Sequence, residues 1–174
     1  KDRVGISGDP VVGFVGRLID LKNVDVILKG FNQLLADHPD AILVIVGDGP
    51  LRPELEQLTR ELGIEGSVHF MGYRSDVPEI ISTLDIGILI SEYESFGMPI
   101  IEFLSMGCPV IATEVGVASE VETNLISEPD PKLLYQALRQ VSSANYQMGS
   151  ETLEKFEAEN FFEGLKDITR TAKL

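Results

Sequence analysis

Asp85-Ile86-Gly87-Ile88-Leu89-Ile90-Ser91-Glu92-Tyr93-Glu94-Ser95-Phe96-Gly97-Met98-Pro99-Ile100-Ile101-Glu102 reads as a strand, a turn and the opening of a helix. The apolar run Ile86 to Ile90 has the length and residue types of a strand buried on both faces. Gly97 and Pro99 turn the chain, and Ile100-Ile101-Glu102-Phe103-Leu104 begins an apolar-striped helix. A buried strand that feeds a helix is the repeating step of a parallel α/β sheet, and such sheets bind ligands outside the carboxyl ends of their strands. Glu94 is therefore expected on the loop and Glu102, eight positions on, in the first helical turn, with both carboxylates able to face that crevice. The N–H groups of Gly97 and its neighbours, unpaired at a helix start, make an anion site between them.

The same alternation extends outward in both directions. Further strands are predicted at 11–15, 41–46, 67–71 and 109–112, with a weaker one at 124–127. Val24, Ile27, Leu28, Phe31, Leu34 and Leu35 form one continuous helical face, with Asn23 placed to cap it. Leu51, Leu55, Leu58 and Leu62 stripe a second helix that stops at Gly63. A shorter helix is read over 76–84, with Pro78 in its first turn, and two more over 131–143 and 150–170. The expected architecture is a Rossmann-like, three-layer α/β sandwich with a mostly parallel sheet of about six strands and helices on both faces. Residues 1–174 form one domain, with its motif core at 11–140 and its C-terminal helices at 131–170.

The composition fits a folded globular chain, with 44% hydrophobic and 24% charged residues in 174. Acidic residues outnumber basic ones 28 to 14, and the resulting formal charge of -14 repels phosphate backbones. With no Lys/Arg run to offset that field, nucleic acid is excluded as a partner. Cys108 is the single cysteine, so no intrachain disulfide forms, in keeping with a reducing compartment, and beside Pro109 it reads as a small buried hydrophobe. One cysteine and the scattered His38 and His69 make no transition-metal cluster. No apolar segment approaches the ~20 residues of a membrane-spanning helix. No segment reads as a signal peptide with a basic start and apolar centre, and a chain that starts at Lys1 rather than a methionine is expected to be a piece of something longer.

Several short motifs occur in a fixed order: Gly16-Arg17-Leu18 followed by Lys22, Gly47-Asp48-Gly49-Pro50, Phe70-Met71-Gly72, Asp85-Ile86, Glu94 with Glu102, and Gly107-Cys108-Pro109-Val110-Ile111-Ala112. In order and spacing this set resembles the group 1 family of retaining, nucleotide-sugar-dependent glycosyltransferases of the GT-B fold. Glu94 and Glu102 match its Glu-x7-Glu motif. The resemblance covers the C-terminal, donor-binding half of such enzymes and implies that the N-terminal acceptor domain is absent here. Departures also occur. Gly116-Val117-Ala118-Ser119-Glu120 stands where Gly-Gly-x-Pro-Glu is usual, the stretch 121–127 is short and lacks the usual glycines, and Asn23 replaces the glycine that often follows the motif lysine.

The resemblance implies a role for each matched residue. Arg17 and Lys22 would hold the donor diphosphate, with Gly16 letting the backbone come close. A guanidinium can bind phosphate oxygens as a fork and an ammonium adds a point charge, although read alone the two are solvated surface cations. Glu102 would accept from ribose hydroxyls, and Glu94 would contact the donor sugar or stabilise positive character at its anomeric carbon. Phe96, Gly97, Met98 and Pro99 carry the helix start. Gly72 and Tyr73 would lie against the nucleobase, with Tyr73 either stacked on it or packed into the fold. Asp48 is read as organising its own turn.

The function implied is donor binding for retaining glycosyl transfer, with a UDP-, GDP- or ADP-sugar as donor and no metal or other cofactor. The acceptor domain of the full-length protein is the expected partner. The location is cytoplasmic, with any membrane contact made through that domain, and the isolated chain is expected to transfer little or nothing. A sugar-nucleotide epimerase-like enzyme and a non-catalytic nucleotide-binding module are the alternatives. A dinucleotide-dependent oxidoreductase is disfavoured because no Gly-x-Gly-x-x-Gly opens the helix after the first strand.

Overall fold

The computed structural model describes residues 6–143 other than Glu122. Within them lie six strands, β1 (Val11–Val15), β2 (Ile42–Val46), β3 (Val68–Gly72), β4 (Ile86–Leu89), β5 (Val110–Thr113) and β6 (Asn124–Ile126). Five helices join or follow them: α1 (Val24–Leu34), α2 (Arg52–Glu61), α3 (Val77–Ile81), α4 (Met98–Ser105) and α5 (Pro131–Ser143). The helix expected over 150–170 lies outside the described residues.

The strands form one parallel sheet in the order β3-β2-β1-β4-β5-β6. Alternate side chains divide its apolar content between two cores. Val12, Phe14, Leu43, Ile45, Ile86 and Ile88 face α1, α2 and α5, where Leu28, Phe31, Leu55, Leu134 and Leu138 meet them. Val11, Val44, Val46, Leu89 and Val110 face α3 and α4, which supply Ile80, Ile81, Ile100, Phe103 and Leu104. Burial on both faces explains why the strands read as unbroken apolar runs rather than alternating ones. Each fully buried Leu or Phe contributes roughly 1.5–3 kcal/mol of burial free energy.

Helix ends follow local chemistry. Gly63 takes φ +69 after α2, the left-handed stop that its position suggested. Pro78 sits in the first turn of α3, which ends at Ile81, sooner than its sequence pattern suggested. Pro99 likewise lies inside the first turn of α4. That helix begins at Met98, two residues before the apolar stripe, because a proline at an N-terminal position forfeits only an N–H that would be unpaired anyway.

From β1 the chain continues to β2 and β3 on one side, while β4, β5 and β6 lie on the other. The carboxyl ends of β1 and β4 thus flank the topological switch point, where α/β sheets open a crevice. Among the described residues between β5 and β6 the chain makes turns over 114–121, with Val115 N–H to the Thr113 carbonyl and Ala118 N–H to the Val115 carbonyl, and no helix.

Candidate functional site

The loop after β1 is held by backbone contact with the loop after β2. Gly16 N–H donates to the Val46 carbonyl at 2.9 Å, and Leu18 N–H to the Asp48 carbonyl at 3.0 Å. A Cβ on Gly47, at φ +126, would lie 1.9 Å from the Gly16 carbonyl oxygen, so only glycine permits this approach. Leu18 is fully buried and anchors the loop, leaving Arg17 exposed beside it. No side chain among the described residues engages the Arg17 guanidinium.

A 3-10 turn over Asp20–Lys22 then leads into Asn23. Asn23 occupies the N-cap position of α1 but makes no side-chain cap, contrary to expectation. It adopts φ 50, a left-handed conformation that asparagine tolerates better than most residues, and its amide reaches across the sheet end to the Ile90 carbonyl at 3.1 Å. Glycine suits the same backbone conformation. The loops after β1 and β4 are further joined by Glu92 N–H to the Leu21 carbonyl at 2.9 Å.

This bridging brings Lys22 and Glu94 together as an ion pair, although 72 positions separate them in sequence. Ser91 Oγ donates to the same Glu94 oxygen, Oε1, at 2.8 Å. Behind it, Thr113 Oγ1 donates to the Ser91 carbonyl at 2.6 Å. Sequence reading missed Ser91 and Thr113. The available signal was a small hydroxyl residue just after an apolar strand, where a further aliphatic residue would have continued the core.

Gly97, at φ +87, precedes α4, and Phe96 before it packs half-buried on the core while its carbonyl accepts from Val117 N–H at 2.8 Å. The anion site expected here is narrower than a full helix start. Pro99 has no N–H, and Ile100 N–H is directed to the Gly97 carbonyl at 2.9 Å. Gly97 and Met98 remain as its donors, with Met98 half exposed beside them.

The earlier start of α4 also moves Glu102, which stands in the second turn of the helix instead of the first. There it lines a cavity of about 140 Å3 with Val77, Pro78, Ile81, Ser105 and Met106, in which Glu94 takes no part. Glu102 thus lies between α3 and α4, while Glu94 is paired with Lys22 at the switch point. After β3, Gly72 gives its carbonyl to Gly47 N–H at 2.8 Å, and Tyr73 is 88% exposed, which removes the reading of it as core packing. Arg74 binds both oxygens of Asp76, at 2.7 and 2.5 Å, and this fork holds the Asp76 carboxyl below the ordinary range.

Asp48 organises its turn as expected. Its Oδ1 accepts from Gly49 N–H at 2.8 Å, and that bond, aided by Arg52, lowers its carboxyl pKa. Cys108 is buried, and desolvation pushes its thiol up to about 12, so it is neither a thiolate nor a nucleophile at neutral pH. His69 is exposed on the edge strand β3, and His38 shapes the turn that leads into β2. Among the described residues no cluster of three His, Cys, Asp or Glu is placed to hold a metal ion, and no helix is long and apolar enough to cross a membrane.

Known proteins share this sequence pattern and this fold. The family profile described as "Glycosyl transferases group 1" matches residues 1–158. The chain belongs to that family. Among curated members, the alpha-D-kanosaminyltransferase of Streptomyces kanamyceticus is 34% identical over 125 residues, covering 70% of this chain and 32% of the relative. The N-acetyl-alpha-D-glucosaminyl L-malate synthase of Bacillus anthracis is 34% identical over 122 residues, covering 70% and 32%. The chain thus spans about a third of the length of these relatives.

Solved structures carry the same fold. The C-terminal domain of the group 1 glycosyl transferase LpcC from Francisella tularensis superposes with a TM-score of 0.78 at 24% identity, covering 86% of this chain and 85% of that one. HepE from Anabaena, in complex with UDP and glucose, superposes at 0.77 and 23% identity over 98% of this chain and 50% of its own. The Rossmann-like α/β domain of a GT-B glycosyltransferase is therefore the architecture of this chain.

Proposed function

We propose that this domain binds the nucleoside-diphosphate sugar donor of a retaining glycosyltransferase. The observation that carries the reading is the Lys22–Glu94 pair, set at the switch point of the sheet beside the exposed Arg17 guanidinium and the start of α4. Arg17, Lys22 and the Gly97 and Met98 amides surround the place of the diphosphate. Fixed donors at that place stabilise the charge that grows on the leaving diphosphate as the glycosidic bond breaks. They do so without a divalent metal.

Each remaining residue has a matching part of the ligand. Tyr73, standing free beside Gly72, offers a stacking face to the base. Glu102, with one apolar wall from Val77, Pro78 and Ile81, accepts from the ribose hydroxyls, since the two oxygens of a carboxylate suit a vicinal diol. Glu94 meets the donor sugar and stabilises positive character at its anomeric carbon. The UDP and glucose bound by HepE support this ligand class. The acceptor is presented by a second domain across a closing cleft, and because such alignment supplies much of the rate, this domain alone transfers little or nothing.

Calorimetric titration of the chain with UDP, GDP and ADP, each with EDTA and then with magnesium, tests the binding arrangement. One diphosphate is expected to bind equally in both conditions. Arg17→Ala is expected to weaken it about tenfold or more while sparing the nucleoside, as for a lost hydrogen bond to a charged group. Binding seen only with the metal overturns the arrangement. A radiolabelled-donor assay, run on this chain and on the protein carrying an acceptor domain, tests the division of labour. Robust transfer by residues 1–174 alone counts against it.

A further inference from the structure

Four polar residues among those described are buried, and they fall into two kinds. Thr59 and Thr83 return their hydroxyls to carbonyls of their own helical segments, Leu55 at 2.7 Å and Ile80 at 2.7 Å. These bonds satisfy a buried hydroxyl locally and reach nothing else. Ser91 and Thr113 instead form a relay that ends on the carboxylate at the switch point.

Ser91 is 1% exposed, and a hydroxyl buried there is unfavourable unless it is bonded. Its partner is Glu94 Oε1, which also receives Lys22 Nζ. Two donors on one oxygen restrain rotation about the last bond of the glutamate. They also leave Oε2 without a donor among the described residues. The relay is firmly based, because Thr113, 4% exposed at the end of β5, holds the Ser91 carbonyl, and Asn23 holds the carbonyl before it.

We propose that Ser91 is a positioning residue: its buried hydroxyl, backed by Thr113, fixes the Glu94 carboxylate through Oε1 so that Oε2 is the oxygen offered to the donor sugar. The inference rests on the nucleotide-sugar reading above. It adds a division of labour between the two oxygens of Glu94. Lys22 alone could hold Oε1, but its long flexible stem does not fix direction as a serine on rigid backbone does.

The first test needs no ligand. NMR coupling constants give the rotamer populations of Glu94 in the free chain, and Ser91→Ala is expected to spread them over several rotamers while Ser91→Thr, which keeps the hydroxyl, holds one. A single retained rotamer in Ser91→Ala overturns the proposal. Thermal unfolding of each variant checks that the fold persists. The second test is a double-mutant cycle with Glu94→Gln, read as affinity for UDP, GDP and ADP and for their glucose and mannose conjugates.

Ser91→Ala is expected to lower affinity for the bound sugar conjugate roughly five- to tenfold and to leave the parent diphosphate within about twofold, as for loss of one hydrogen bond to a charged group. In the Glu94→Gln background the same substitution is expected to add nothing. Equal losses for conjugate and diphosphate, or a loss that persists beside Glu94→Gln, overturns the positioning role alone. A wild-type chain that binds none of the three diphosphates overturns the nucleotide-sugar reading itself, and this proposal with it.

Discussion

Lys22 and Glu94 are paired across the switch point with side chains only 15% and 13% exposed. The pair joins the loop after β1 to the loop after β4, so it contributes to the fold as well as to the site. An exposed ion pair contributes ~0–1 kcal/mol, whereas breaking a buried one costs ~3–5 kcal/mol because a charge is left unpaired. Lys22→Met is accordingly expected to lower stability by about 1–3 kcal/mol. Adding Glu94→Gln is expected to restore part of that loss. Urea unfolding of the two single variants and the double variant, with equal m-values, measures the coupling.

The backbone of the loop after β1 depends on Gly47. Alanine there would place its methyl 1.9 Å from the Gly16 carbonyl oxygen at φ +126. Strain of this backbone type costs ~1–3 kcal/mol and the clash adds to it, so Gly47→Ala is expected to destabilise by about 3 kcal/mol or more. Gly63→Ala is the control, since Gly63 has φ +69 but nothing within 4 Å of the added methyl. It is expected to cost ~1 kcal/mol, the left-handed penalty alone. Equal losses in the two variants, read from chemical denaturation, would remove the argument from close approach.

Glu102 lies between α3 and α4. Glu102→Gln is therefore expected to weaken a ribonucleoside diphosphate about tenfold and its 2′-deoxy counterpart markedly less, as for loss of hydrogen bonds to a charged group. Calorimetry with both ligands reads the difference. Equal losses would place Glu102 away from the ribose.

Cys108 gives the fold a distinct alkaline signature. Desolvation raises its pKa from 9.0 to about 12 in the folded chain. Above pH 9 the unfolded chain ionises this thiol and the folded chain does not, so the unfolded state binds fewer protons and stability falls as pH rises toward 12. The slope from this group approaches ~1.4 kcal/mol per pH unit. Cys108→Ala is expected to lose that part of the slope between pH 9 and 11, measured as the difference between the two urea-unfolding series. A thiol-specific reagent at pH 8 is expected to label Cys108 only after unfolding.

Most of the architecture was legible in the chain itself, for a physical reason. Val11–Val15, Ile42–Val46 and Ile86–Leu89 are buried on both faces, so their composition alone marks them as central parallel strands. The stripe from Val24 to Leu34 follows equally from the helical period. Glycosyltransferase group 1 membership was legible too, because Gly16-Arg17-Leu18, Lys22, Glu94 and Glu102 are spaced by that same fold.

Tertiary structure decided what each loop residue touches. Asn23 stands where a helix cap belongs, yet its amide is drawn to Ile90 because β1 and β4 are neighbours, a pairing that no local pattern encodes. Glu102 falls in the second turn of α4, beside α3, because α4 accepts Pro99 in its first turn and begins at Met98. Ser91 and Thr113 acquire their roles only where β4 and β5 end side by side. Sequence determined which elements form, since burial and period are properties of each segment. Only the packing of the sheet determined which side chains meet, since every bond across the switch point joins residues distant in the chain.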